Sequence, residues 1–85
     1  MNETPGEHER DERVWRALAD SSRRRILDLL RSRPMTTGEL DANFRFTRFA
    51  LMKHLRILHE AELIRIDRRG RERYNHLNPL PIQRR

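Results

Sequence analysis

The chain has 85 residues, enough for a single domain with one modest core. Its 19 lysines and arginines outnumber 13 aspartates and glutamates, which favours an anionic partner: nucleic acid, a membrane surface or an acidic protein. The absence of cysteine excludes a disulfide framework and a thiolate metal site. We find no signal peptide pattern and no apolar run near the roughly 20 residues that span a bilayer, so we expect a cytoplasmic protein without a membrane partner.

The positive charge is distributed unevenly along the chain. Residues 1–20 contain six acidic residues against three arginines, whereas residues 21–85 contain 16 basic residues against seven acidic ones. Nine of these basic residues lie between Arg45 and Arg73, in a segment whose pattern indicates folded structure. The sequence therefore predicts a basic patch on a folded surface rather than a basic tail.

Helical patterns occupy the first half of the chain. Residues 1–10 are charged and include proline and glycine, so we expect a disordered segment there. An apolar stripe predicts helix one, and Asp20 or Ser21 would begin helix two, which Pro34 would end. The stripe of helix one consists of Val14, Trp15 and Leu18, and the apolar face of helix two of Ile26, Leu27, Leu29 and Leu30.

Two further helices are predicted with a short turn between them. Thr36 and Glu39 have the spacing of a capping box, which would start a third helix that runs to about Asn43. After a turn over residues 44–46, Thr47 would cap a fourth helix that ends near Ala61. Leu40 and Phe44 would be the core residues of the third helix, and Leu51, Leu55 and Leu58 those of the fourth.

The pattern then alternates, which predicts a hairpin. Ile64 and Ile66 mark one strand, Gly70 a tight turn, and residues 71–77 the returning strand. Tyr74 and Leu77 have different parity, so either a bulge intervenes or the strand ends before Leu77. The predicted fold is mainly α with a small two-stranded β-hairpin over residues 11–79, followed by a tail of residues 80–85.

The fourth helix carries an unusual outer face. At about 100° per residue, basic and large apolar side chains lie away from its three leucines. They are Arg48, Phe49, Met52, Lys53 and Arg56. Arginine can donate two bonds to guanine, and apolar groups can contact the thymine methyl, so this face suits base reading in the major groove after a helix-turn-helix. A solvated basic helix or a protein-binding surface would be alternative interpretations.

The hairpin repeats the positive charge. Five arginines surround its glycine: Arg65, Arg68, Arg69, Arg71 and Arg73. A DNA backbone or minor groove would neutralise them, although Asp67 and Glu72 could pair with some across the strands. Thr36 and Thr37 lie at a helix N-terminus that can bind phosphate, but helix capping alone would account for both.

Several segments taken together resemble the ArsR-type winged helix-turn-helix transcriptional regulators. They are residues 18–20 with 23–27, residues 37–40, residues 53–58, residues 70–74 and residues 77–79, in this order. The resemblance covers residues 17–79. It implies a repressor or related regulator that binds double-stranded DNA as a homodimer, with helices three and four as the helix-turn-helix and the hairpin as the wing.

These arguments give a set of candidate residues. The predicted DNA contacts are Thr36, Thr37, Thr47, Arg48, Phe49, Met52, Lys53, Arg56, Arg68, Arg69, Arg71 and Arg73, and the predicted dimer contacts are Val14, Trp15 and Leu18. We predict no catalytic residue and no cofactor. Metal-sensing relatives use cysteines or a terminal helix with histidine and acidic ligands, and the four histidines here show no ligand spacing, so no metal site is expected.

Three positions depart from the family pattern. Glu62 stands where relatives usually have glycine, which would cost about 1 kcal/mol if the backbone keeps a positive φ. Met52 replaces a small polar residue, so the base preference should differ there. Relatives continue past the Asn78-Pro79 motif into a helix of the dimer interface, whereas few residues follow here, so we expect dimerisation through helix one.

Other functions receive less support. No nucleophile or carboxylate pair has the spacing of an active site, which makes an enzyme the weakest hypothesis. A protein-interaction module ranks second, because Phe49 and Met52 would suit an apolar partner. RNA binding ranks third, because the strands lack the aromatic side chains that stack unpaired bases.

Overall fold

The computed structural model describes residues 5–79 and consists there of four helices and a three-stranded antiparallel sheet. The elements in chain order are α1 (Pro5–Leu18), α2 (Ser21–Leu30), β1 (Met35–Thr36), α3 (Thr37–Asp41), α4 (Arg48–Glu60), β2 (Ile64–Arg69) and β3 (Glu72–Leu77). The strand order is β1-β3-β2. The predicted winged helix-turn-helix fold is confirmed, and the sheet gains the strand β1 that the sequence pattern did not predict. No helix in residues 5–79 is long and apolar enough to cross a bilayer.

The first helix begins earlier than predicted. It starts at Pro5, so residues 5–10, which we expected to be disordered, are helical. Proline is well tolerated in the first turn of a helix because its missing N–H would lack an intrahelical partner there in any case. The pairs Glu9–Arg13 and Glu12–Arg16 also have the i,i+4 spacing that supports a helix. Residues 1–4 and the predicted tail of residues 80–85 lie outside the described residues.

The cap of α2 was predicted correctly and its end was not. The Asp20 carboxylate accepts the backbone N–H groups of Ser22 at 2.7 Å and Arg23 at 3.3 Å. Although partial burial acts to raise it, these hydrogen bonds hold the pKa of Asp20 below its usual value. The helix ends at Leu30, four residues before Pro34, and the Ser32 hydroxyl donates to the Leu29 carbonyl just beyond that end.

The capping box of α3 is confirmed. The Thr36 hydroxyl accepts the backbone N–H of Glu39 at 3.0 Å, and the Glu39 carboxylate accepts the backbone N–H of Thr36 at 2.9 Å. This second bond, together with the Arg33 guanidinium, keeps the pKa of Glu39 below its usual value. The helix ends at Asp41 rather than near Asn43, so the turn before α4 spans residues 42–47 and is longer than predicted.

The end of α4 has the hydrogen bonds of a Schellman motif. Glu62 has a φ of 64°, its N–H donates to the His59 carbonyl at 2.9 Å, and the Leu63 N–H donates to the Leu58 carbonyl at 3.0 Å. Glu62 therefore adopts the positive φ that we considered for this position, although glutamate is less suited to it than glycine. This turn directs the chain from the recognition helix candidate α4 into β2.

The core lies between the helices and the inner face of the sheet. Its buried apolar residues are Ala17, Ile26, Leu30, Met35, Leu40, Leu51, Leu55, Leu58, Ala61, Leu63 and Ile64. The three leucines predicted for α4 are among them, whereas Phe44 is only partly buried. The hairpin pairs continuously from Ile64–Leu77 to Arg69–Glu72, and the fully buried residue of β3 is Asn75, not Tyr74 or Leu77.

Candidate nucleic-acid interface

The outer face of α4 is exposed as predicted. Leu51, Leu55 and Leu58 attach the helix to the core, which turns the opposite side outward. The Phe49 side chain is 81% exposed, a large apolar group without cover from the described chain. Its neighbours on this face are the exposed Arg48, Lys53 and Arg56 and the half-buried Met52, which packs against the core.

The first turn of α4 is fixed by local contacts. The Thr47 hydroxyl caps the helix by accepting the backbone N–H of Ala50 at 3.1 Å. Arg48 Nε lies 3.4 Å from Asp41 Oδ2, and both side chains are substantially exposed. Surface ion pairs of this kind contribute little to stability, so Arg48 can exchange its carboxylate partner for a phosphate or a base at small cost.

The hairpin separates its arginines onto two faces. Arg68 lies directly opposite Arg73 on the face that continues from the core, and like charges in this position are unfavourable without an anion. On the other face, the Arg69 guanidinium lies 5.0 Å from the Tyr74 ring centroid. Gly70 forms the turn with a φ of 62°, the conformation for which glycine was expected.

The acidic residues of the hairpin do not neutralise its arginines. Asp67 Oδ2 lies 3.2 Å from His76 Nε2, and within residues 5–79 no ion pair joins Asp67 or Glu72 to a hairpin arginine. The alternative of cross-strand charge pairing, which the sequence left open, is therefore not realised. The positive charge near Gly70 remains available to an external anion.

A groove of about 410 Å³ lies between α4 and the hairpin. Its apolar lining comes from Phe49, Met52, Leu55 and Ile66, and its basic lining from Lys53, Arg56, His59 and Arg73. His59 was not singled out from the sequence, although helical periodicity places it on the same side of α4 as Met52 and Arg56. The structure thus brings four predicted residues of α4 and one of the hairpin together around this groove: Phe49, Met52, Lys53, Arg56 and Arg73. Arg48 and Arg71 line a second depression that shares Met52 and Arg73 with the groove, whereas Arg68 and Arg69 line neither.

The threonines at the start of α3 differ in accessibility. Thr36 is partly exposed, whereas Thr37 is buried and its hydroxyl accepts a bond from Asn75 Nδ2 at 3.3 Å. Asn75 Nδ2 also donates to the Met35 carbonyl at 3.1 Å. Asn75 therefore ties β3 to β1 and α3, and the buried Thr37 forms part of the groove wall with its hydroxyl engaged by Asn75.

A partly buried contact between α2 and α4 was not predicted. Arg23 is only 9% exposed, and its Nη1 atom lies 3.1 Å from Nδ1 of His54. Burial lowers the pKa of His54 below its usual value of 6.5, the charges of Arg23 and Lys53 lower it further, and Asp20 opposes the shift. A buried arginine within the run of residues 23–25 has no distinctive sequence signal, because its burial depends on the approach of α4.

The three predicted dimer contacts lie in different environments. Val14 and Leu18 are partly buried and pack against the chain's own core, whereas Trp15 is 71% exposed. Among residues 9–18 of α1, Trp15 is therefore the large apolar side chain that is available to a second chain. No cluster of three or more histidine and acidic side chains in residues 9–79 has the arrangement of a metal site.

A helix-turn-helix followed by a basic antiparallel wing defines the class of winged helix DNA-binding proteins. Comparisons with known proteins agree, because residues 18–67 match the helix-turn-helix domain family. The chain is 39% identical over 70 residues to the transcriptional repressor SdpR of Bacillus subtilis, which covers 82% of this chain and 78% of the relative. It is 37% identical over 68 residues to the HTH-type transcriptional regulator Rv2034 of Mycobacterium tuberculosis, over 80% of this chain and 64% of the relative.

Solved structures define the family further. The chain is similar to the ArsR family transcriptional regulator RHA00566, with a TM-score of 0.82, 31% identity and coverage of 87% of this chain and 81% of that chain. The homodimeric winged helix-turn-helix DNA-binding domain Mb0332 of Mycobacterium bovis has the same fold, with a TM-score of 0.80 at 22% identity over 89% of this chain and 73% of that chain. The chain belongs to the ArsR family of winged helix-turn-helix transcriptional regulators. It is a DNA-binding regulator of transcription, and its family and fold are not those of enzymes.

Proposed function

We propose that the protein acts in the cytoplasm as a transcriptional repressor that binds an operator in double-stranded DNA as a homodimer. In this proposal α4 enters the major groove and the β2–β3 hairpin lies on the phosphate backbone or in the minor groove. The observation that carries it is the combination on α4 of an 81% exposed Phe49 with exposed Lys53 and Arg56. The identity to the repressor SdpR supports repression, and the homodimeric state of Mb0332 supports a dimer.

The candidate residues have different roles in this proposal. Arg48, Phe49, Met52, Lys53 and Arg56 would face the bases, because they occupy the outer face of α4. The remaining contacts, from Thr36, Thr47, Arg68, Arg69, Arg71 and Arg73, would be to the backbone or the minor groove. Thr37 would support this surface as part of the groove wall, since its hydroxyl is engaged by Asn75.

The test is selection of duplex DNA from a random-sequence pool by the full chain, followed by fluorescence anisotropy on the selected and a scrambled duplex. We expect enrichment of a sequence with two related half-sites, affinity that falls with rising salt, and no effect of a metal chelator. Single-stranded RNA of the same length is the competitor control. Binding without enrichment, or preference for the RNA, would contradict the proposal.

A protein-binding role for the same surface is the second candidate. The groove beside Phe49 favours it, because Phe49, Met52, Leu55 and Ile66 form a contiguous apolar lining, and contiguous apolar surface marks interaction sites. Replacing Phe49 by alanine distinguishes the two roles. Unchanged DNA affinity in Phe49→Ala would exclude a contribution of this side chain to DNA binding and would favour the protein-binding role.

A further inference from the structure

One guanidinium joins three helices beneath the DNA-binding face. Arg23, near the start of α2, donates from Nε to the Ala17 carbonyl at 2.8 Å and from Nη2 to the Arg16 carbonyl at 3.1 Å, both in the last turn of α1. Its third contact is Nη1 with His54 Nδ1, at 3.1 Å, in the middle of α4. We call Arg23 and His54 the α1–α4 junction. It connects the helix that carries Trp15 to the helix that carries Phe49.

The junction determines the protonation state of His54. A guanidinium only donates hydrogen bonds, so Nδ1 must be the acceptor, and the imidazole is neutral with its proton on Nε2. A second proton would have to sit on Nδ1 and point at the Arg23 cation. Protonation therefore removes the hydrogen bond and adds charge repulsion at the same place.

His54 also supports the turn before α4. Its ring centroid lies 5.2 Å from that of Phe46, which stacks on Phe44 at 4.8 Å, and the Arg25 guanidinium lies 5.8 Å from the Phe44 ring. The orientation of the His54 ring is thus coupled to the turn that sets the start of α4. A change at this ring reaches both the turn and the end of α1.

The charged groups that act on His54 come from the start of α2 and from α4. Asp20 lies before α2 and favours the protonated ring, whereas Arg23 on α2 and Lys53 on α4 oppose it. Burial also opposes protonation and is the largest of these effects. The neutral ring is therefore the form that the folded protein selects at neutral pH.

We infer that Arg23 and His54 are positioning residues for DNA recognition, and that operator binding requires the neutral His54 ring to hold α4 at a fixed angle to α1. The inference rests on the proposed DNA-binding function and adds a pH dependence to it. In a dimer formed through α1, this angle also sets the relation between the two α4 helices. Loss of the junction reduces recognition of paired half-sites more than it reduces binding to unrelated DNA.

The experiment compares two non-titrating replacements with a matched histidine control. His54→Asn places an acceptor near the position of Nδ1, and His54→Leu keeps apolar bulk without an acceptor. The control His8→Asn removes a histidine of α1, outside α4 and the hairpin. Affinity for the duplex selected by the wild type and for a scrambled duplex is measured from about pH 7.5 to about pH 5, across the usual histidine pKa. Circular dichroism at each pH verifies folding.

The expected results separate positioning from stability alone. Wild type and His8→Asn should lose preference for the selected duplex as the pH falls below 6.5, whereas His54→Asn should keep it. His54→Leu should lose about tenfold of the preference at every pH, as expected for a lost hydrogen bond to a charged group. A wild-type pH profile in His54→Asn, or full preference in His54→Leu, would overturn the inference.

Failure of DNA binding itself would be recognised separately. If the wild type selects no duplex, the proposed function fails, and the junction is tested by imidazole ¹⁵N NMR of the full chain. The inference then requires an unprotonated Nδ1 on His54 at neutral pH and a pH-dependent shift of the Arg16 and Ala17 signals that vanishes in His54→Asn. A freely titrating His54 without effect on α1 would refute it.

Discussion

Glu62 adopts an unfavourable backbone conformation at the end of α4. Within residues 5–79 it is the one residue other than glycine that has a positive φ. It completes a Schellman motif in which the Leu63 N–H donates to the Leu58 carbonyl. Its own carbonyl accepts a bond from Asn78 Nδ2 at 2.9 Å, which a change of side chain would leave in place. The glutamate side chain is exposed, so nothing in the packing requires it.

Glu62→Gly should therefore stabilise the protein. We expect the free energy of unfolding to rise by about 1 kcal/mol, because glycine adopts the left-handed region without the clash of a Cβ atom. The measurement is urea denaturation followed by circular dichroism. Glu60→Gly, inside the last turn of the same helix, is the control and should lower the free energy of unfolding by about 1 kcal/mol. Destabilisation by both changes would show that Glu62 makes a contribution its geometry does not explain.

Two buried polar residues, Asn75 and Arg23, could not be predicted from the sequence. Asn75 is fully buried on β3, a position where an alternating pattern leads one to expect an apolar side chain. Its amide donates to the Met35 carbonyl and the Thr37 hydroxyl, which are 40 and 38 residues away in sequence. Because those partners are set by the fold, no local pattern identifies Asn75 or the similarly buried Arg23 in advance.

Elements with local signals were predictable, and elements defined by distant partners were not. The capping box of Thr36, the cap of Thr47 and the hairpin around Gly70 each depend on neighbours within a few residues, and all were predicted. Strand β1 has two residues and no periodicity, and it exists because Met35 and Thr36 pair with Asn75 and Tyr74. The exposed face of α4 was predictable because its three core leucines fix its rotation.

The two basic elements should contribute different kinds of binding. Arg56 lies on the exposed face of α4, so Arg56→Ala should cost about 1–3 kcal/mol on the selected duplex and much less on a scrambled one. Arg71 follows the hairpin glycine, so Arg71→Ala should weaken both duplexes alike and reduce the salt slope by about one. Anisotropy over a salt series measures both effects.

Arg10→Ala on α1 is the control for general loss of charge. It removes an exposed arginine outside α4 and the hairpin, and it should leave the specificity ratio unchanged. If Arg71→Ala lowers the ratio while Arg56→Ala changes only the salt slope, the roles of helix and wing are reversed. If neither variant differs from Arg10→Ala, this face does not bind DNA.

At the scale of the whole molecule, the acidic and basic residues are unevenly distributed, and the two exposed aromatic side chains lie in different places. Residues 1–20 hold six of the 13 acidic residues, whereas Lys53 and Arg56 of α4 and Arg73 of the hairpin line the groove. The two most exposed large apolar side chains of residues 9–79, Trp15 and Phe49, lie on different helices. One chain thus presents a helix of nearly balanced charge with an exposed tryptophan and a basic surface with an exposed phenylalanine.

This separation predicts that dimerisation and DNA binding can be removed independently. Trp15→Glu should weaken the homodimer at least about tenfold, because a buried tryptophan at an interface commonly contributes 2 kcal/mol or more. Phe49→Glu should leave the dimer intact and abolish preference for the selected duplex, because it places a negative charge on the surface that faces the bases. Sedimentation equilibrium measures the first effect and anisotropy the second.

Tryptophan fluorescence can test this prediction, because Trp15 is the only tryptophan in the sequence. If α1 forms the interface, the wild-type fluorescence maximum should move to shorter wavelength as concentration rises, since the 71% exposed indole leaves water on dimerisation. Phe49→Glu should show the same concentration dependence. Trp15→Glu should still bind a single half-site with reduced affinity, because α4 and the hairpin are unchanged. A dimer that persists in Trp15→Glu, or an emission maximum independent of concentration in a proven dimer, would place the interface away from Trp15.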